Sequence, residues 1–364
     1  MVLIGNIRYD GRVRKEIRTL LAAGHQVELI VSDFDKSGSG GEDLGVRIHY
    51  IPMTLWPNPA MNFLEQLSFN RRAASIIKDI RPTHVHCHDL SSLLAGVWSK
   101  GKVSGELIFD AHELMPESMG GIKEKIWNFI ESKSIKYCDA IIMPEKYRII
   151  YFRKKYGTTP KIWLLENFPL KSEISIEKNS ILREEYPIKE NQKIILYTGF
   201  LATRRHIEDL VHAMTFCTEQ FVLVALGYSL KGYTETLQTM IEKFCLTERV
   251  FLHRAVPNTE LLKYMSSCDI GTALYRNNNL NNFYCASNKL YEYIALDKPV
   301  ITNNYPGLLE RIESFGQGIC LQAITPRSLA TAFTCAVDPG FIKPGRRKYF
   351  WEDQQHVLIQ LYKK

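Results

Sequence analysis

Residues 287–301 read Ser-Asn-Lys-Leu-Tyr-Glu-Tyr-Ile-Ala-Leu-Asp-Lys-Pro-Val-Ile and predict a capped helix that leads into a strand. A helix start carries free backbone N–H groups and about half a positive charge, so it binds phosphate well. Lys289 adds a formal charge there, and Glu292 follows about one turn later, where a carboxylate can accept both hydroxyls of a ribose. The alternative is a plain capped helix in which Glu292 favours the dipole and Tyr293 belongs to the core.

Short apolar strands alternate with amphipathic helices on both sides of this stretch. Helices are predicted at 12–23 and 61–80, where apolar residues recur at helical spacing. Strands separated by helices of this length indicate parallel βαβ units with right-handed crossovers. The predicted strands are 2–5, 27–31, 84–88, 107–109, 140–143, 161–165, 194–197, 221–226, 250–252, 270–274, 299–302 and 319–321.

A polar stretch at 167–192 interrupts the alternation, and we interpret it as an interdomain linker with one short helix at 180–185. We therefore predict an α/β protein with two doubly wound, Rossmann-like domains, the first at 1–168 and the second at 169–349. Ligands of open α/β sheets bind beyond the carboxyl ends of the strands. If two such domains face each other, the active cleft lies between them.

The composition excludes several classes of protein. The 364 residues are 45% hydrophobic and 23% charged, as in ordinary globular proteins and unlike disordered or fibrous ones. The net charge of +7 comes without a basic tail, which favours weak attraction to anionic ligands or membrane surfaces over nucleic-acid binding. The opening residues predict a strand and not a signal peptide, and the eight cysteines include no Cys-x-x-Cys pair. A reduced, cytoplasmic protein is expected.

A predicted strand joins a helix through Tyr-Thr-Gly-Phe-Leu-Ala-Thr-Arg-Arg-His-Ile-Glu-Asp-Leu at 197–210. Gly199 ends the strand with a backbone that a ligand can approach closely. Arg204 and Arg205 then bring positive charge to the same place, and arginine suits bidentate contact with phosphate. The pattern indicates a phosphate-binding loop; an exposed helix start with two solvated arginines is the alternative.

Two segments of the first half place polar residues at strand ends. Residues 109–117 read Phe-Asp-Ala-His-Glu-Leu-Met-Pro-Glu, which sets His112 just past a strand, where it would face the cleft. Asp110 and Glu113 alternatively cap the next helix. Residues 84–89 read His-Val-His-Cys-His-Asp, so three histidines project to one face of a strand. With the final aspartate they offer zinc or iron ligands, but no cluster elsewhere completes the set, and we predict no metal.

These segments resemble the retaining family-4, or group 1, glycosyltransferases, which have the GT-B fold. Residues 287–301 resemble their signature Pro-x-Lys-x-x-Glu-Tyr-x-Ala-x-Gly-Lys-Pro-Val-Ile, with Ser287 at the usual Pro and Asp297 at the usual Gly. Residues 199–210 resemble their phosphate loop Gly-x-Leu-x-x-x-(Arg/Lys)-Gly-x-x-x-Leu, with His206 at the second Gly.

The resemblance implies two facing domains, with a terminal helix at 350–364 that crosses back onto the first. It implies a nucleotide-diphosphate sugar as co-substrate on the second domain, with no other cofactor. Glu292 would hold the ribose, Arg205 and Lys289 would neutralise the diphosphate, and His112 would contact the donor sugar and support departure of the leaving group. The predicted catalytic residues are therefore Arg205, Lys289 and His112. The predicted donor-binding residues are Gly199, Arg204, Arg205, Ser287, Asn288, Lys289, Glu292 and Gly307.

The resemblance also covers the first domain. Residues 109–117 resemble the Asp-x-His-Glu segment of polysaccharide-building members. Residues 84–89 resemble a strand that does not bind metal in the family. Residues 6–14 resemble a loop that tends to face the acceptor. The expected acceptor is a saccharide or lipid-linked saccharide in bacterial surface polysaccharide assembly, at the inner face of the membrane. The predicted acceptor-side residues are Asp10, Arg12, Arg14, His88, Asp89 and Glu113.

A patch of aromatic and basic residues, 55–64 with Phe69, Arg71 and Arg72, has two open interpretations. Core packing explains the aromatic residues. Contact with a lipid-linked acceptor or an anionic membrane would explain why they lie beside basic ones. A peripheral membrane contact is therefore a further expectation.

Three rival functions stay open. A sugar-nucleotide 2-epimerase also uses two Rossmann-like domains and would need no acceptor. A two-lobed ligand-binding protein would normally be exported, and no export signal is predicted. A metallohydrolase would use the three histidines of 84–88.

Overall fold

The computed structural model describes residues 1–157, 160–174, 179–229, 232–338, 340–341 and 348–363, without the side chains of Arg204 and Asn258. The chain divides into two units, each treated by itself. The first unit consists of Met1–Glu166, Asn279–Asn281 and Glu352–Lys364. The second unit consists of Asn167–Asn278 and Asn282–Trp351.

Seven parallel strands form the sheet of the first unit, in the order β3-β2-β1-β4-β5-β6-β7. The strands are β1 Val2–Leu3, β2 Glu28–Asp33, β3 Arg47–Pro52, β4 His84–His88, β5 Glu106–Asp110, β6 Ala140–Met143 and β7 Lys161–Leu164. The helices are α1 Gly11–Ala22, α2 Pro59–Ile80, α3 Asp89–Ser99, α4 Met115–Ser118, α5 Gly121–Ser134 and α6 Lys146–Tyr156. Successive β2 residues pack into different apolar clusters, Ile30 into one and Val31 into the other, so this sheet is buried on both faces.

Six parallel strands form the sheet of the second unit, in the order β10-β9-β8-β11-β12-β13. The strands are β8 Lys193–Thr198, β9 Phe221–Gly227, β10 Val250–Arg254, β11 Ile270–Ala273, β12 Val300–Asn303 and β13 Gly318–Leu321. The helices are α7 Ile181–Glu185, α8 Ile207–Ala213, α9 Tyr233–Lys243, α10 Asn258–Ser266, α11 Leu280–Phe283, α12 Asn288–Ala295, α13 Pro306–Phe315, α14 Pro326–Ala336 and α15 Trp351–Leu361. By the division above, nearly all of α15 belongs to the first unit and part of α11 does too.

Each sheet reverses its strand order at one point, between β1 and β4 in the first unit and between β8 and β11 in the second. At such a point the loops that follow the two central strands diverge and leave a crevice for a ligand. The loop after β8 and the helix start of α12 are therefore placed by the topology of the second sheet. Gly271 in β11 lets α12 approach, because a Cβ there would lie 2.4 Å from the ring of Tyr293.

The predicted α/β class with two doubly wound parallel sheets is confirmed. All twelve predicted strands are present, with ends that differ by no more than about two residues, as element ends commonly do. The sequence analysis missed β3, Arg47–Pro52, which lies at the edge of the first sheet. Most of its side chains are partly exposed, so it lacks the continuous apolar run that marks the inner strands.

Candidate functional site

The loop after β8 and the start of α12 touch through Gly199 and Lys289. Gly199 has a φ of +124°, in the region that favours glycine. A Cβ at this position would lie 2.5 Å from Nζ of Lys289, so any side chain would displace the lysine. The ammonium group lies 4.5 Å from the centre of the Tyr197 ring. The glycine therefore lets a cation lie directly beside the end of β8.

A second cation of this region also rests on an aromatic ring. The guanidinium carbon of Arg205 lies 5.0 Å from the centre of the Tyr275 ring, and the Tyr275 hydroxyl donates a hydrogen bond of 2.8 Å to Oγ of Ser287. Ser287 is buried, and its Oγ accepts from the backbone N–H of Leu290 at 3.3 Å, so it is the N-cap of α12. The ring of Tyr275 thus joins the loop arginine to the helix cap.

Positive charge in this region is not neutralised by acidic side chains. Among the side chains that the structure describes, no carboxylate forms an ion pair with Lys289 or Arg205. Burial, together with the positive charge of Arg205, lowers the pKa of Lys289 to about 7, against the opposing effect of Glu292. A bound anion would stabilise the charged lysine. Two cations and the N-terminus of an eight-residue helix are thus arranged so that together they could bind an anion.

The remaining predicted donor residues lie on the same elements or the next one. Asn288 is the exposed first residue of α12, and Glu292 lies half-buried one turn later. Gly307 lies in the first turn of α13, which follows β12. The side chain of Arg204 lies outside the described residues. Direct contact of these residues with a donor stays a prediction.

Two departures from the resembled motifs occur at positions with left-handed backbone. His206 and Asp297 replace the usual glycines and have φ values of 58° and 57°. His206 Nδ1 lies 2.7 Å from Oδ2 of Asp209, and Asp297 accepts a hydrogen bond of 2.6 Å from Nζ of Lys348. The loop and the turn after α12 therefore keep the conformation that glycine would favour.

A different kind of polar cluster lies in the first unit. Arg12 is buried and donates two hydrogen bonds to Asp110, from Nε to Oδ2 at 2.8 Å and from Nη2 to Oδ1 at 2.9 Å. Its Nη1 donates to the carbonyl oxygen of Leu165 at 2.8 Å, and its Nε lies 3.2 Å from Oε1 of Glu16. Asp110 is fully buried at the end of β5, so the bidentate pair joins α1 to the middle of the sheet.

His112 is held by the same cluster. Its Nε2 lies 2.9 Å from Oδ2 of Asp110 and 3.2 Å from Nδ1 of His88, and its Nδ1 lies 3.6 Å from Oδ2 of Asp89. The backbone N–H of His112 donates to Oδ1 of Asp89 at 3.0 Å. Burial opposes the charged ring, but the two carboxylates outweigh it and raise the pKa of His112 to about 10. His112 is therefore an imidazolium at neutral pH.

The structure does not bring together the ligand set that the histidine strand suggested. His84 Nε2 faces Oε2 of Glu106 at 3.7 Å, and Asp89 turns toward His112. Within the described residues, the four-ligand group whose atoms lie within 4.8 Å of one another is formed instead by Glu16, His86, His88 and Asp110. Both oxygens of Asp110 already accept hydrogen bonds from Arg12, and one of them also faces His112.

Burial perturbs the titration of every member of this group. Burial, reinforced by the negative charge of Asp110, raises the pKa of Glu16 well above its usual value and so disfavours a second negative charge beside Asp110. Burial lowers the pKa of His88 to about 4 and that of His86 well below its usual value, so both rings are neutral. His86 Nδ1 lies 2.7 Å from the hydroxyl of Tyr362, near the end of the chain. Arg12, His112 and Tyr362 thus each contact a member of this group.

The predicted acceptor-side residues have varied positions. Asp10 caps α1 by accepting from the backbone N–H of Val13 at 3.0 Å, and Arg14 forms an ion pair with Asp43. Arg12 and His88 are buried in the network described above. Glu113 is exposed. Contact of these residues with an acceptor stays a prediction.

The alternative in which Asp110 and Glu113 cap the next helix is wrong, because α4 begins at Met115 and no side chain caps it. Sequence reasoning also missed Glu16 and Tyr362 as members of the network. The spacing of Arg12 and Glu16, one helical turn apart, was the available signal for the first.

Comparison with known proteins finds two matching family models. Residues 12–168 match the family model described as Glycosyltransferase Family 4, and residues 178–338 match the one described as Glycosyl transferases group 1. A search of the curated proteins finds no match.

All eight cysteines are unpaired. Among the helices of the described residues, none combines the length and the hydropathy that a bilayer span requires.

Solved structures show the same fold. HepE from Anabaena, in complex with UDP and glucose, is 15% identical with a TM-score of 0.73, over 99% of this chain and 94% of that one. Sucrose-phosphate synthase from Thermosynechococcus elongatus is 16% identical with a TM-score of 0.74, over 99% and 94%. A protein from Listeria monocytogenes that is described as a UDP-N-acetylglucosamine 2-epimerase is 13% identical with a TM-score of 0.64, over 99% of this chain and 90% of that one. These identities support the GT-B fold and nothing finer.

Proposed function

Since the chain belongs to the family 4, or group 1, glycosyltransferases, we propose that it moves a sugar from a nucleotide-diphosphate sugar to a hydroxyl of a saccharide or lipid-linked saccharide, with retention of configuration. The observation that carries this proposal is the pair Lys289 and Arg205, which lie beside the carboxyl end of β8 against aromatic rings. A diphosphate supplies the negative charge that this region lacks.

In the proposed complex, the diphosphate binds beside Gly199, between Arg205 and Lys289. Its oxygens accept hydrogen bonds from the free backbone N–H groups at the start of α12. Glu292, one turn into that helix, accepts hydrogen bonds from the ribose. HepE, which shares the fold, was solved with UDP, and that supports a nucleoside diphosphate as the ligand class. Arg204 is assigned the same neighbourhood from its place in the sequence.

Charge neutralisation at this place would also accelerate the reaction. When the bond between the sugar carbon and the phosphate oxygen breaks, negative charge grows on the leaving diphosphate. Cations that are already held in position stabilise the transition state more than they stabilise the bound donor before the bond breaks, so they lower this barrier. We propose that Lys289, Arg205 and the helix start, rather than a metal ion, provide this charge. The new bond forms from the acceptor oxygen to the same carbon, and the acceptor proton passes to the departing phosphate.

His112 has a different task in this proposal. Its pKa of about 10 keeps the ring protonated, so it does not accept the acceptor proton at neutral pH. It supplies positive charge and a hydrogen-bond donor for the donor sugar as the leaving group departs. Asp110 and Asp89 are the positioning residues, since they hold the ring and maintain its charge.

A 2-epimerase is the second candidate, because the fold is shared with the protein from Listeria monocytogenes. Incubation of the purified chain with UDP-, GDP-, ADP- and CMP-sugars, with and without saccharide acceptors, separates the two. Sugar transfer only in the presence of an acceptor supports the glycosyltransferase. Formation of an isomeric nucleotide sugar without acceptor supports the epimerase, and no binding of any nucleotide sugar by calorimetry overturns both.

The biological setting is proposed on sequence resemblance alone. Residues 109–117 resemble the corresponding segment of polysaccharide-building glycosyltransferases, so we propose a role in bacterial surface polysaccharide assembly on the cytoplasmic side of the membrane. Comparing the surface polysaccharide of cells with and without the protein tests this role. An unchanged polysaccharide would contradict it.

A further inference from the structure

The loop after β5, residues 111–114, is fixed by hydrogen bonds at both of its ends. The backbone N–H of Ala111 donates to the carbonyl of Ile142 in β6 at 2.9 Å. The backbone N–H of Leu114 donates to Oδ1 of Asn281, also at 2.9 Å. Ala111 and Leu114 are buried, where a backbone group without a partner would cost free energy. The side chain of Asn281 therefore satisfies one end of the loop.

The carbonyl of His112, between these two ends, has a charged partner. Nη1 of the buried Arg148 donates to it at 2.5 Å. Nη2 of the same guanidinium donates to Oδ1 of Asn281 at 2.8 Å and to the carbonyl of Asn281 at 3.2 Å. Arg148 is itself fixed in the first turn of α6, because its backbone N–H donates to Oε2 of Glu145, the N-cap, at 2.8 Å. A charged donor makes stronger hydrogen bonds than a neutral one.

One oxygen of Asn281 thus accepts from two donors, the backbone of Leu114 and the guanidinium of Arg148. An amide oxygen has two lone pairs, so both hydrogen bonds can form at once. Asn281 belongs to the first unit, although the chain from Asn282 to Trp351 belongs to the second. We call Arg148 and Asn281 the loop clamp, because together they bind the loop after β5 at two successive points.

The loop clamp acts on His112 through the backbone. The carboxylates of Asp110 and Asp89 contact the ring, at 2.9 Å from Nε2 and 3.6 Å from Nδ1, whereas the clamp binds the peptide groups on either side of Glu113. A shift of the loop would therefore move the ring relative to both carboxylates. A misplacement of about 1 Å can cost about 100-fold in rate when the displaced group takes part in the reaction.

We propose that Asn281 is a positioning residue for His112: with Arg148 it fixes the loop after β5, and the fixed loop holds the ring in the orientation that sugar transfer requires. The expected effect on turnover rests on the proposed function. The expected effect on the loop does not, because it requires no substrate. The alternative is that Asn281 only ties its own segment to the first unit, with no consequence for His112.

Two variants of the full chain, Asn281→Leu and Asn281→Asp, test the proposal. Leucine keeps the branched shape but has no acceptor, whereas aspartate keeps the oxygen that both donors use. In Asn281→Leu, NMR hydrogen exchange of the His112 N–H should accelerate about tenfold or more, although its own partner is Asp89, while the amides of β4 and β5 keep their rates. At saturating donor, kcat should fall about 10- to 100-fold, with donor affinity within about twofold. Asn281→Asp should restore exchange and kcat to within about threefold of the wild type.

The matched control is Asn282→Leu. Asn282 is the next residue and is also half-buried, but it belongs to the second unit. Its Nδ2 donates to the carbonyl of Arg276 at 3.2 Å and to Oδ1 of Asn278 at 2.7 Å. The His112 N–H is expected to exchange in this variant as it does in the wild type. The control therefore separates loss of the loop clamp from a general disturbance of this asparagine-rich segment.

Several results with Asn281→Leu would overturn the proposal: an unchanged exchange rate of the His112 N–H, an equal acceleration throughout β4 and β5, or faster exchange with an unchanged kcat. An equal acceleration in Asn282→Leu, or no recovery in Asn281→Asp, would overturn it as well. If the wild-type chain transfers no sugar to any acceptor, the proposed function fails instead, and the exchange rates still decide whether the loop clamp holds His112.

Discussion

Lys289 and Arg205 in the second unit lie against the rings of Tyr197 and Tyr275, whereas Arg12 and His112 in the first unit lie against carboxylates. The difference is visible in the pKa values: burial lowers that of Lys289 to about 7, while Asp89 and Asp110 overcome burial and raise that of His112 to about 10. A cation that carboxylates already neutralise is held in one position by them. A cation that they do not neutralise is available to an anionic ligand.

The largest effect should come from breaking the neutralised pair. Arg12→Met leaves Asp110 buried with one fewer positive partner and should lower the free energy of unfolding by about 3–5 kcal/mol. Arg205→Met, the matched change in the second unit, should alter it by no more than about 1 kcal/mol. In urea unfolding, tryptophan fluorescence follows mainly the first unit, because four of the five tryptophans lie in it and only Trp351 lies in the second. Circular dichroism of the same samples follows both units.

Comparable destabilisation by the two arginine variants would end the distinction between them. In that case Arg205 would also be a structural cation. The double variant serves as the control, and its cost should equal the sum of the single ones, since the two sites share no partner.

His112→Asn should reduce turnover by about 100-fold or more and leave nucleotide affinity within about twofold, because a fixed charge beside the reacting sugar acts in the transition state. Its charge also predicts the pH profile. The pKa of His112 is raised from 6.5 to about 10, so the ring stays charged as pH rises through 6.5 and loses its proton only near 10. The stabilisation from this group is complete below 6.5 and disappears as pH rises toward 10.

Wild-type turnover that rises as pH increases through about 6.5, and no longer does so in His112→Asn, would show a neutral, base-like histidine. Asp110→Asn sharpens the test, because removal of one carboxylate should bring the titration of His112 back toward 6.5. An NMR titration of the histidine ring measures that shift directly.

Lys289→Met should weaken the binding of a nucleotide-diphosphate sugar by about 10- to 100-fold, because a hydrogen bond between charged groups contributes about that much to affinity. It should weaken the binding of the bare nucleoside little, since the partner of the lysine is phosphate. The fold should be no less stable, because the charged form of Lys289 is disfavoured by burial. Calorimetry with both ligands checks the first part, and equal losses for nucleoside and nucleotide sugar would contradict it.

The pKa of Lys289 near 7 gives a smaller effect with a definite sign. Below pH 7 the lysine is already charged, so donor affinity should be constant; above pH 7 the free protein loses this proton and the bound diphosphate restores it. Affinity should therefore fall by up to about tenfold per pH unit above 7. Lys289→Arg should flatten the profile, because arginine keeps its charge. A nucleotide sugar is the ligand to use, since its diphosphate does not titrate near neutrality.

The inner strands could be predicted from sequence because they are buried on both faces and appear as unbroken apolar runs, as in Phe221–Gly227. The loop after β8 could be singled out as a candidate phosphate site because its glycine and arginines are close in sequence. The network around His112 could not, since Arg12 and Asp110 are 98 residues apart and meet only in the folded sheet. The exposure of Ile122, Ile126 and Phe129 on α5 could not either, because apolar residues at helical spacing are typical of a core.

Backbone conformation is the other feature that the sequence hides, and it allows the finest comparison. His206 in the donor loop and Asp89 at the start of α3 both have left-handed backbones, with φ values of 58° and 60°, and each follows a strand next to the reversal point of its sheet. The side chain of Asp89 holds His112, whereas Nδ1 of His206 lies 2.7 Å from Oδ2 of Asp209 in the next turn.

His206→Gly should therefore be neutral or stabilising by up to about 1 kcal/mol, because glycine removes the cost of a Cβ in this conformation. His206→Ala, which keeps the Cβ, should be about 1 kcal/mol less stable than His206→Gly. Asp89→Gly gains the same relief but loses the hydrogen bond and the charge that fix His112, so it should be destabilised by about 1–2 kcal/mol and should lose turnover. Urea unfolding and turnover of the three variants decide the matter. If Asp89→Gly behaves like His206→Gly, the carboxylate of Asp89 does not hold the imidazolium, and the contrast between the two units rests on Asp110 and Arg12 alone.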